Sequence, residues 1–359
     1  MKITQALHEL PQSLWLDNIT REILDNGTLQ RYIAEFSVTG LTSNPTIFDE
    51  AIGSTTAYDS GIAEKARAGM VGEALFIELA LEDLRRAAEL FRPVFNRSSG
   101  ADGWVSMEVS PLLADDAPAT LEAALIIQQQ AARPNLYVKI PGTESGIKAI
   151  EESIFAGVPI NVTLLFSREH YLAAAGAYMR GIERRIAAGL NPRISSVASI
   201  FVSRWDRAVS GKVPDDLQNK LGIAIARRTY RAYRELLDSR RWLDLAAAGA
   251  RSQRLLWAST GTKDPKARPS LYVEALAAPD TIDTLPEKTL LSFAAQGQLQ
   301  GVMPTDGGDC ESVLTRFAQA GIDIDALGAQ LQRDGAQAFV KSWQELMKRI
   351  TDKGTALAQ

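Results

Sequence analysis

Residues 136–167 read LYVKIPGTESGIKAIEESIFAGVPINVTLLFS and contain two apolar runs separated by an amphipathic segment. The first run, 136–140, is rich in strand-forming residues and is stopped by a proline and a glycine. Three isoleucines at helical spacing follow, and then a second apolar run at 158–165. Two strands joined by one helix lie parallel in a sheet, so this segment predicts a βαβ unit.

Side chains alternate between the two faces of a strand, and here the two faces differ in polarity. The aliphatic faces hold Leu136, Val138 and Ile140 in the first strand and Ile160, Val162 and Leu164 in the second. Lys139 lies on the opposite face of the first strand, and Asn161 and Thr163 lie on the opposite face of the second. If the sheet closes into a barrel, the polar faces line its interior.

Lys139 is the residue whose position asks for an explanation. An ammonium in a barrel interior is costly unless it is neutralised or used. Burial disfavours the charged amine, and a neutral amine can attack a carbonyl, so the position predicts Schiff-base chemistry. The alternative is a lysine at a strand end whose ammonium reaches solvent. This segment alone leaves both interpretations open.

Length and composition limit the remaining choices. A chain of 359 residues with 46% hydrophobic content suits one large α/β domain or two small ones. The net charge of −4 argues against nucleic acid as the main partner, so local basic groups must hold any anionic ligand. One cysteine, Cys310, and two histidines argue against disulfides, a zinc site and a histidine-based triad. No apolar run is long enough for a signal peptide or a membrane span, which predicts a cytoplasmic protein.

Strand-like runs recur along the chain and alternate with helical patterns. The predicted strands are Ser13–Asp17, 37–41, 104–109, 136–140, 158–165, 196–202, 254–259 and, more weakly, Thr281–Leu285. This alternation predicts a (β/α)₈ TIM barrel with additional helices. A doubly wound open sheet is the alternative fold, but no GxGxxG pattern follows the first strand.

Helical patterns complete the expected architecture. An apolar stripe at helical spacing predicts a helix that ends before Pro93, and a long helix is expected to start at Pro214-Asp215. Apolar residues at helical spacing near the C-terminus predict a tail that packs on the body. We therefore expect a single barrel domain over residues 1–359, with a C-terminal helical extension at about 309–352.

Polar side chains collect at or just beyond the C-terminal ends of the predicted strands, which converge on one mouth in a barrel. They are Asp17, Asn44, Glu108, Lys139, Asn161, Thr163, Ser199, Arg204, Ser259 and Lys263. Each has a plainer alternative: Asp17 as a helix cap, Asn44 as a turn residue, Thr163 as a strand former, and the two cations as solvated charges. Glu108 is harder to explain in that way. An interior carboxylate costs several kcal/mol unless partnered, so we expect it to pair with Lys139 or to transfer protons.

The chain resembles transaldolases, specifically the longer bacterial form. The motifs that carry the resemblance are SLWLDNI, GLTSNPTIFD, VSMEVSP, LYVKIPGTESGIKAI, INVTLLFS, ASIFVSRWD, LLWASTGTKDP, TLPEKTLLSF and FVKSWQELM. They occur in order from residue 13 to 347. The resemblance implies transfer of a dihydroxyacetone unit between sugar phosphates in the non-oxidative pentose phosphate pathway. It also implies a monomer or homodimer that needs no metal or organic cofactor.

The resemblance also implies roles for the residues at the mouth. Lys139 would form the Schiff base, Asp17 would serve as acid and base at the hydroxyl where the carbon–carbon bond breaks, and Glu108 and Thr163 would hold a water that shuttles protons. Substrate hydroxyls and phosphate would be bound by Asn44, Asn161, Ser199, Arg204 and Ser259. Lys263 stands in a longer loop where shorter family members carry an arginine, and a lysine offers a point charge instead of a bidentate fork.

Two alternative functions remain. An aldolase that releases free dihydroxyacetone would use the same lysine. A sugar-phosphate-binding barrel without turnover is the non-enzyme alternative, and the joint presence of Lys139, Glu108 and Asp17 argues against it.

Overall fold

The computed structural model describes residues 2–299 and 301–358. Within these ranges, parallel strands form one eight-stranded sheet. In chain order, β1 to β8 are Ser13–Asp17, Val38–Thr42, Val105–Glu108, Leu136–Pro141, Ile160–Leu165, Ser196–Phe201, Arg254–Ala258 and Thr281–Leu285. At least one α-helix joins each strand to the next, so the predicted (β/α)₈ barrel with additional helices is confirmed.

The helices surround this sheet and also cover one end of it. In the described ranges, α1 to α16 are Ile3–Glu9, Arg21–Asp25, Thr28–Phe36, Pro45–Ser54, Asp59–Arg67, Gly72–Arg97, Ala117–Ala131, Glu144–Ala156, Arg168–Ala187, Ser203–Val209, Leu221–Leu237, Arg240–Ala247, Leu271–Ala275, Glu287–Gln296, Cys310–Gln319 and Ile324–Ala358. Short 3₁₀ helices cover Pro111–Leu113 and Asp215–Leu217. None of the helices among the described residues is both long enough and apolar enough to cross a membrane.

Backbone hydrogen bonds between β2 and the two residues that precede β3 close the barrel. The strand order is β2-β1-β8-β7-β6-β5-β4-β3, so β2 and β3 are the two edges. Leu41 N donates to Trp104 O at 2.9 Å and Gly103 N donates to Thr39 O at 2.8 Å, which joins the two edges. The C-terminal strand ends therefore surround a single mouth.

The two faces of the strands are sorted as the alternation predicts. Val138 and Ile140 belong to the apolar core between the sheet and its helices. Tyr137, Val197 and Leu256 belong to a second apolar cluster that includes the barrel interior. Lys139 therefore points inward, because it shares a face with Tyr137.

The second strand of the quoted segment departs from strict alternation at Leu164. Its φ of 58° lies in the left-handed region, and the pairing of β5 with β6 shifts register between Val162 and Leu165. Because of this bulge, Leu164 joins the inner cluster and Leu165 takes the outer position. The prediction that Leu164 shares a face with Ile160 and Val162 is wrong.

Two predicted helix boundaries are also wrong. Helix α6 continues through Pro93 to Arg97. The proline removes one backbone hydrogen bond, but the turn after it is held by Phe95, whose ring packs edge-on against Trp104 with centroids 5.2 Å apart. The chain after Pro214 forms only a 3₁₀ turn, and the long helix begins at Leu221.

Helix α16 lies across the mouth of the barrel. At one end, Gln332 Nε2 donates to the carbonyl oxygens of Gly142 and Leu164, each at 3.0 Å, beside the ends of β4 and β5. Further along the helix, Thr46 of α4 donates to Ser342 at 3.0 Å. The helix therefore reaches from the β4–β5 side of the mouth to the β2 side.

Candidate active site

Lys139 lies at the centre of the mouth and is almost fully buried, with 7% of its surface exposed. Strand register places Glu108, Lys139 and Asn161 side by side on β3, β4 and β5. Lys139 Nζ is 2.5 Å from Glu108 Oε1 and donates to the carbonyl oxygen of Ser43 at 2.8 Å. The expected pairing with Glu108 is confirmed, and the alternative in which the ammonium reaches solvent is excluded.

Glu108 is held in an environment that favours its protonated form. Burial raises the pKa of Glu108 above its usual range; the charge of Lys139 opposes this shift, and the charge of Asp17 adds to it. A carboxylate with a raised pKa accepts a proton more readily than one in water. Glu108 is therefore suited to exchange protons with the amine beside it.

Asp17 ends β1 and reaches the same cavity as Lys139. Its Oδ1 accepts a hydrogen bond from Thr42 Oγ1 at 2.7 Å. Burial raises the pKa of Asp17, while the charge of Lys139 and the hydrogen bond from Thr42 act in the opposite direction. Asp17 does not cap the next helix, because Thr20 is the N-cap of α2 and accepts from Ile23 N at 3.2 Å.

Asn161 is fully buried beside Lys139 and is fixed at both ends of its carboxamide. Its Nδ2 donates to Ser106 Oγ at 3.2 Å, and its Oδ1 accepts from Ser199 Oγ at 2.7 Å. Thr163 lies on the same face of β5, and among the described residues its buried hydroxyl has no hydrogen-bond partner. Asn161 therefore orients the Ser199 hydroxyl, and Thr163 has its own hydroxyl to offer a ligand.

A cavity of about 350 Å³ opens above the lysine. The predicted residues that line it are Asp17, Asn44, Lys139, Thr163, Ser199, Arg204, Ser259 and Lys263. Glu108 lies outside this cavity, on the other side of Lys139, and borders a second one. Asn161 lines neither cavity, but it contacts Ser199, which lines the first.

The outer part of the first cavity carries the two cations, Arg204 and Lys263. Arg204 is half-buried, with its guanidinium carbon 5.1 Å from the centroid of the Phe201 ring. Burial and the charge of Arg207 lower the pKa of Arg204, yet a guanidinium stays charged at neutral pH. Lys263 is exposed in the loop after β7. Together they make this end of the cavity suitable for a phosphate group.

Asn44 and Ser259 border the same cavity from opposite sides. Asn44 is the N-cap of α4, and its Oδ1 accepts from Ile47 N at 3.1 Å, so its amide N–H groups are what it can offer a ligand. Asn44 therefore caps α4 and also lines the cavity. Ser259 has a φ of 56°, and its hydroxyl lies 2.9 Å from that of Ser203. That contact fixes the direction of the Ser259 side chain.

Several residues of the site were not predicted from the sequence. Ser43 accepts from Lys139 through its carbonyl, a backbone group that no residue type signals. Thr42 was placed only in the turn that closes the second predicted strand, and Ser106 only on the same strand face as Glu108; their hydrogen bonds to Asp17 and Asn161 were not predicted. Phe339 lines the cavity from α16, and the tail pattern showed only that this helix buries one face.

Comparisons with known proteins identify the family of this chain. A model of the Transaldolase/Fructose-6-phosphate aldolase family matches residues 14–350. The chain belongs to this family. The transaldolase of Thiobacillus denitrificans is 41% identical, with 98% of this chain and all of that protein aligned. The transaldolase of Saccharopolyspora erythraea is 40% identical over 97% of both chains, and Transaldolase 2 of Nostoc punctiforme is 38% identical over 95% of both.

The match to the transaldolase family, over residues 14–350, covers all of the predicted site residues, from Asp17 to Lys263, and all of the barrel strands except Ser13 at the start of β1. Family membership makes the chain an enzyme of the transaldolase type, a transferase that acts on sugar phosphates. The family's name joins two enzyme activities, transaldolase and fructose-6-phosphate aldolase.

Proposed function

We propose that this transaldolase moves a dihydroxyacetone unit through a Schiff base on Lys139. The donor is a ketose phosphate such as sedoheptulose 7-phosphate or fructose 6-phosphate. The acceptor is an aldose phosphate such as glyceraldehyde 3-phosphate or erythrose 4-phosphate, as in the non-oxidative pentose phosphate pathway. The observation that carries the proposal is a buried amine, 2.5 Å from a carboxylate, at the base of a polar cavity.

Imine formation is the first step. Lys139 loses a proton to Glu108 and attacks C2 of the ketose, and the resulting carbinolamine loses water to give a protonated imine. The raised pKa of Glu108 favours its acceptance of the proton. Glu108 and Thr163 hold the water that carries protons between the amine and the substrate oxygen. Both have unused hydrogen-bonding capacity among the described residues.

Cleavage of the carbon–carbon bond is the second step. Asp17 accepts the proton of the C4 hydroxyl, the C3–C4 bond breaks, and its electron pair flows into the protonated imine. The aldose phosphate leaves, and an enamine of dihydroxyacetone stays on Lys139. When a new aldehyde arrives, the same steps run in reverse, and water then releases the product ketose.

Substrate binding follows from the remaining side chains of the first cavity. Arg204 and Lys263 bind the phosphate at the outer end of the cavity. Asn44, Ser199 and Ser259 bind hydroxyl groups, and Asn161 aligns Ser199 for this purpose. Because Lys263 is a flexible point charge, the phosphate is held more loosely on that side than by Arg204. We expect a cytoplasmic monomer or homodimer.

Borohydride trapping tests the central step. We expect that fructose 6-phosphate and borohydride give a covalent adduct on Lys139, located by peptide mass mapping. Lys139→Ala should abolish the adduct and the transfer activity. Lys148→Ala, which removes an exposed lysine of the following helix, should leave both unchanged. An adduct on Lys148 or Lys263 would contradict the assignment.

The acceptor dependence of turnover separates transfer from aldol cleavage. With fructose 6-phosphate alone, a transferase retains the fragment on the enzyme, and adding erythrose 4-phosphate restores continuous turnover. Release of free dihydroxyacetone at the same rate with and without the acceptor would show that the chain works as an aldolase.

A further inference from the structure

A second cavity, of about 380 Å³, reaches Lys139 on its Glu108 side. The first cavity, which is proposed to hold the sugar phosphate, reaches the lysine on its other side. The inner end of the second cavity is formed by Glu108, Lys139 and Thr163. Apolar side chains form most of its walls, and Asp115 and Thr143 add polar groups further out. Leu112, which is 56% exposed, places part of its lining at the protein surface.

The two cavities are separated at the lysine. The lining residues they share in the described part of the chain are Lys139, Thr163 and Phe339. Phe339 is half-buried on α16 and stands between the cation-lined cavity and the Glu108 side. The catalytic amine is therefore approached from two compartments of different chemistry, one cationic and one mostly apolar.

Helix α16 is fixed where it separates the compartments. Gln332 donates to the carbonyl oxygens of Gly142 and Leu164, which ties the helix to the ends of β4 and β5. An ideal Cβ on Gly335 would lie 3.0 Å from the Leu164 side chain and 3.1 Å from the Arg204 guanidinium, so the helix sits close to the barrel here. The wall between the compartments is therefore a packed element.

The reaction needs water while the first cavity is full. In the last step the protonated imine of a product ketose reacts with water: the C2–O bond forms, the C2–N bond breaks, and ketose and ammonium result. The carbon chain and phosphate of that ketose still occupy the cavity lined by Arg204 and Lys263. Water must therefore reach C2 from another side.

The Glu108 side offers what that water requires. Apart from the ion pair with Lys139, the buried oxygens of Glu108 have no hydrogen-bond partner among the described residues, and neither has the Thr163 hydroxyl. A water molecule needs two to four polar partners, and these groups supply them beside the amine.

We propose that the second cavity is the compartment through which water enters and leaves during imine formation and hydrolysis, with Phe339 and α16 keeping it apart from the bound sugar phosphate. This inference rests on the Schiff base proposed above for Lys139. In this proposal, α16 does not touch the reacting atoms but keeps water and the sugar phosphate on separate sides of Lys139.

Two alanines of α16 provide a matched pair of variants. Ala336 lines the second cavity and Ala338 lines the first, two residues apart on the same helix. We expect Ala336→Phe to slow exchange of the C2 oxygen of fructose 6-phosphate with ¹⁸O-labelled water at least about tenfold, since it obstructs a water-borne proton relay. Its affinity for glucitol 6-phosphate, which has no carbonyl and forms no imine, should stay unchanged. Ala338→Phe should weaken glucitol 6-phosphate binding instead.

Ala114→Leu narrows the second cavity from the opposite wall and so tests the same compartment without changing α16. This variant should also slow exchange of the C2 oxygen of fructose 6-phosphate and leave the affinity for glucitol 6-phosphate unchanged. Its unfolding temperature shows whether the fold is intact. Wild-type exchange rates in folded Ala336→Phe and Ala114→Leu would overturn the water compartment. An equal loss of affinity for glucitol 6-phosphate in Ala336→Phe and Ala338→Phe would also overturn it. If the proposed Schiff base were wrong, the borohydride experiment would show it separately, because the wild-type enzyme would then give no trapped adduct on Lys139.

Discussion

The two ends of the barrel each contain a buried carboxylate, and the two carboxylates differ in their hydrogen-bond partners. At the N-terminal end, Asp102 accepts from Trp15 Nε1 at 2.8 Å through one oxygen and from Ser13 Oγ at 2.5 Å through the other. At the C-terminal mouth, the Lys139 ammonium is the one polar partner that the described residues offer to the Glu108 oxygens. Both side chains are buried to a similar degree, with 6% and 8% exposed.

We interpret this difference as that between a structural carboxylate, Asp102, and the carboxylate proposed to exchange protons, Glu108. Satisfied polar groups in a core hold neighbouring elements in register, whereas unsatisfied ones carry a desolvation cost that stability alone does not explain. The N-terminal end is also filled by aromatic rings: Trp104 and Tyr137 stack with centroids 4.0 Å apart and planes at 22°. These rings pack below Lys139, and the cavities that the lysine lines lie above them, at the mouth.

Glu108→Gln tests the chemical end of this comparison. The amide preserves the shape but cannot take the proton from Lys139, so we expect kcat to fall about 100-fold, in the range of general acid–base effects. The affinity for sugar phosphates should change little, because Glu108 lies outside the first cavity, where Arg204 and Lys263 are expected to bind the phosphate group. A change confined to KM would contradict the proton-relay role.

Asp102→Ala tests the structural end. Removing the carboxylate leaves the buried Trp15 N–H without its acceptor, so we expect a loss of about 2 kcal/mol in the free energy of unfolding, measured by urea denaturation. At a temperature where the variant stays folded, kcat should remain near the wild-type value. A large fall in kcat without loss of stability would show that the two ends are not separate in function.

The alternation of polar and apolar residues was enough to predict the barrel and the inward direction of Lys139. Period-two patterns depend only on local sequence, and they hold in β3, β4 and the first half of β5. The pattern failed at Leu164, where a bulge changes the face. Nothing in the local sequence LLFS indicates that bulge, and the Leu164 carbonyl accepts a hydrogen bond from Gln332, which is far away in sequence.

The part of the site that comes from α16 was beyond sequence reasoning for the same reason. A helical stripe at Phe339, Trp343 and Leu346 shows that one face of the helix is buried, but not against what. Phe339 meets Lys139 and Thr163 only through tertiary packing. The paired residues of neighbouring strands were predictable because barrel topology itself brings their ends together.

Thr42→Val gives the smallest expected effect and examines the mouth through a single hydrogen bond. Burial already raises the pKa of Asp17, and the Thr42 hydroxyl limits that rise because it donates to the ionised carboxylate. Loss of the donor disfavours the ionised form, so the pKa of Asp17 should rise further. In the proposed mechanism Asp17 must be ionised to accept the hydroxyl proton, so activity should be lost as the pH falls through this pKa.

We therefore expect the acid limb of kcat/KM in Thr42→Val to move to higher pH, while activity on the plateau stays close to wild type. Thr42→Ser keeps the hydroxyl and is the matched control, so its acid limb should stay in place. An acid limb that moves equally in both variants would trace the shift to lost packing of the Thr42 methyl group. A shift to lower pH would mean that the carboxylate acts in its protonated form during the rate-limiting step.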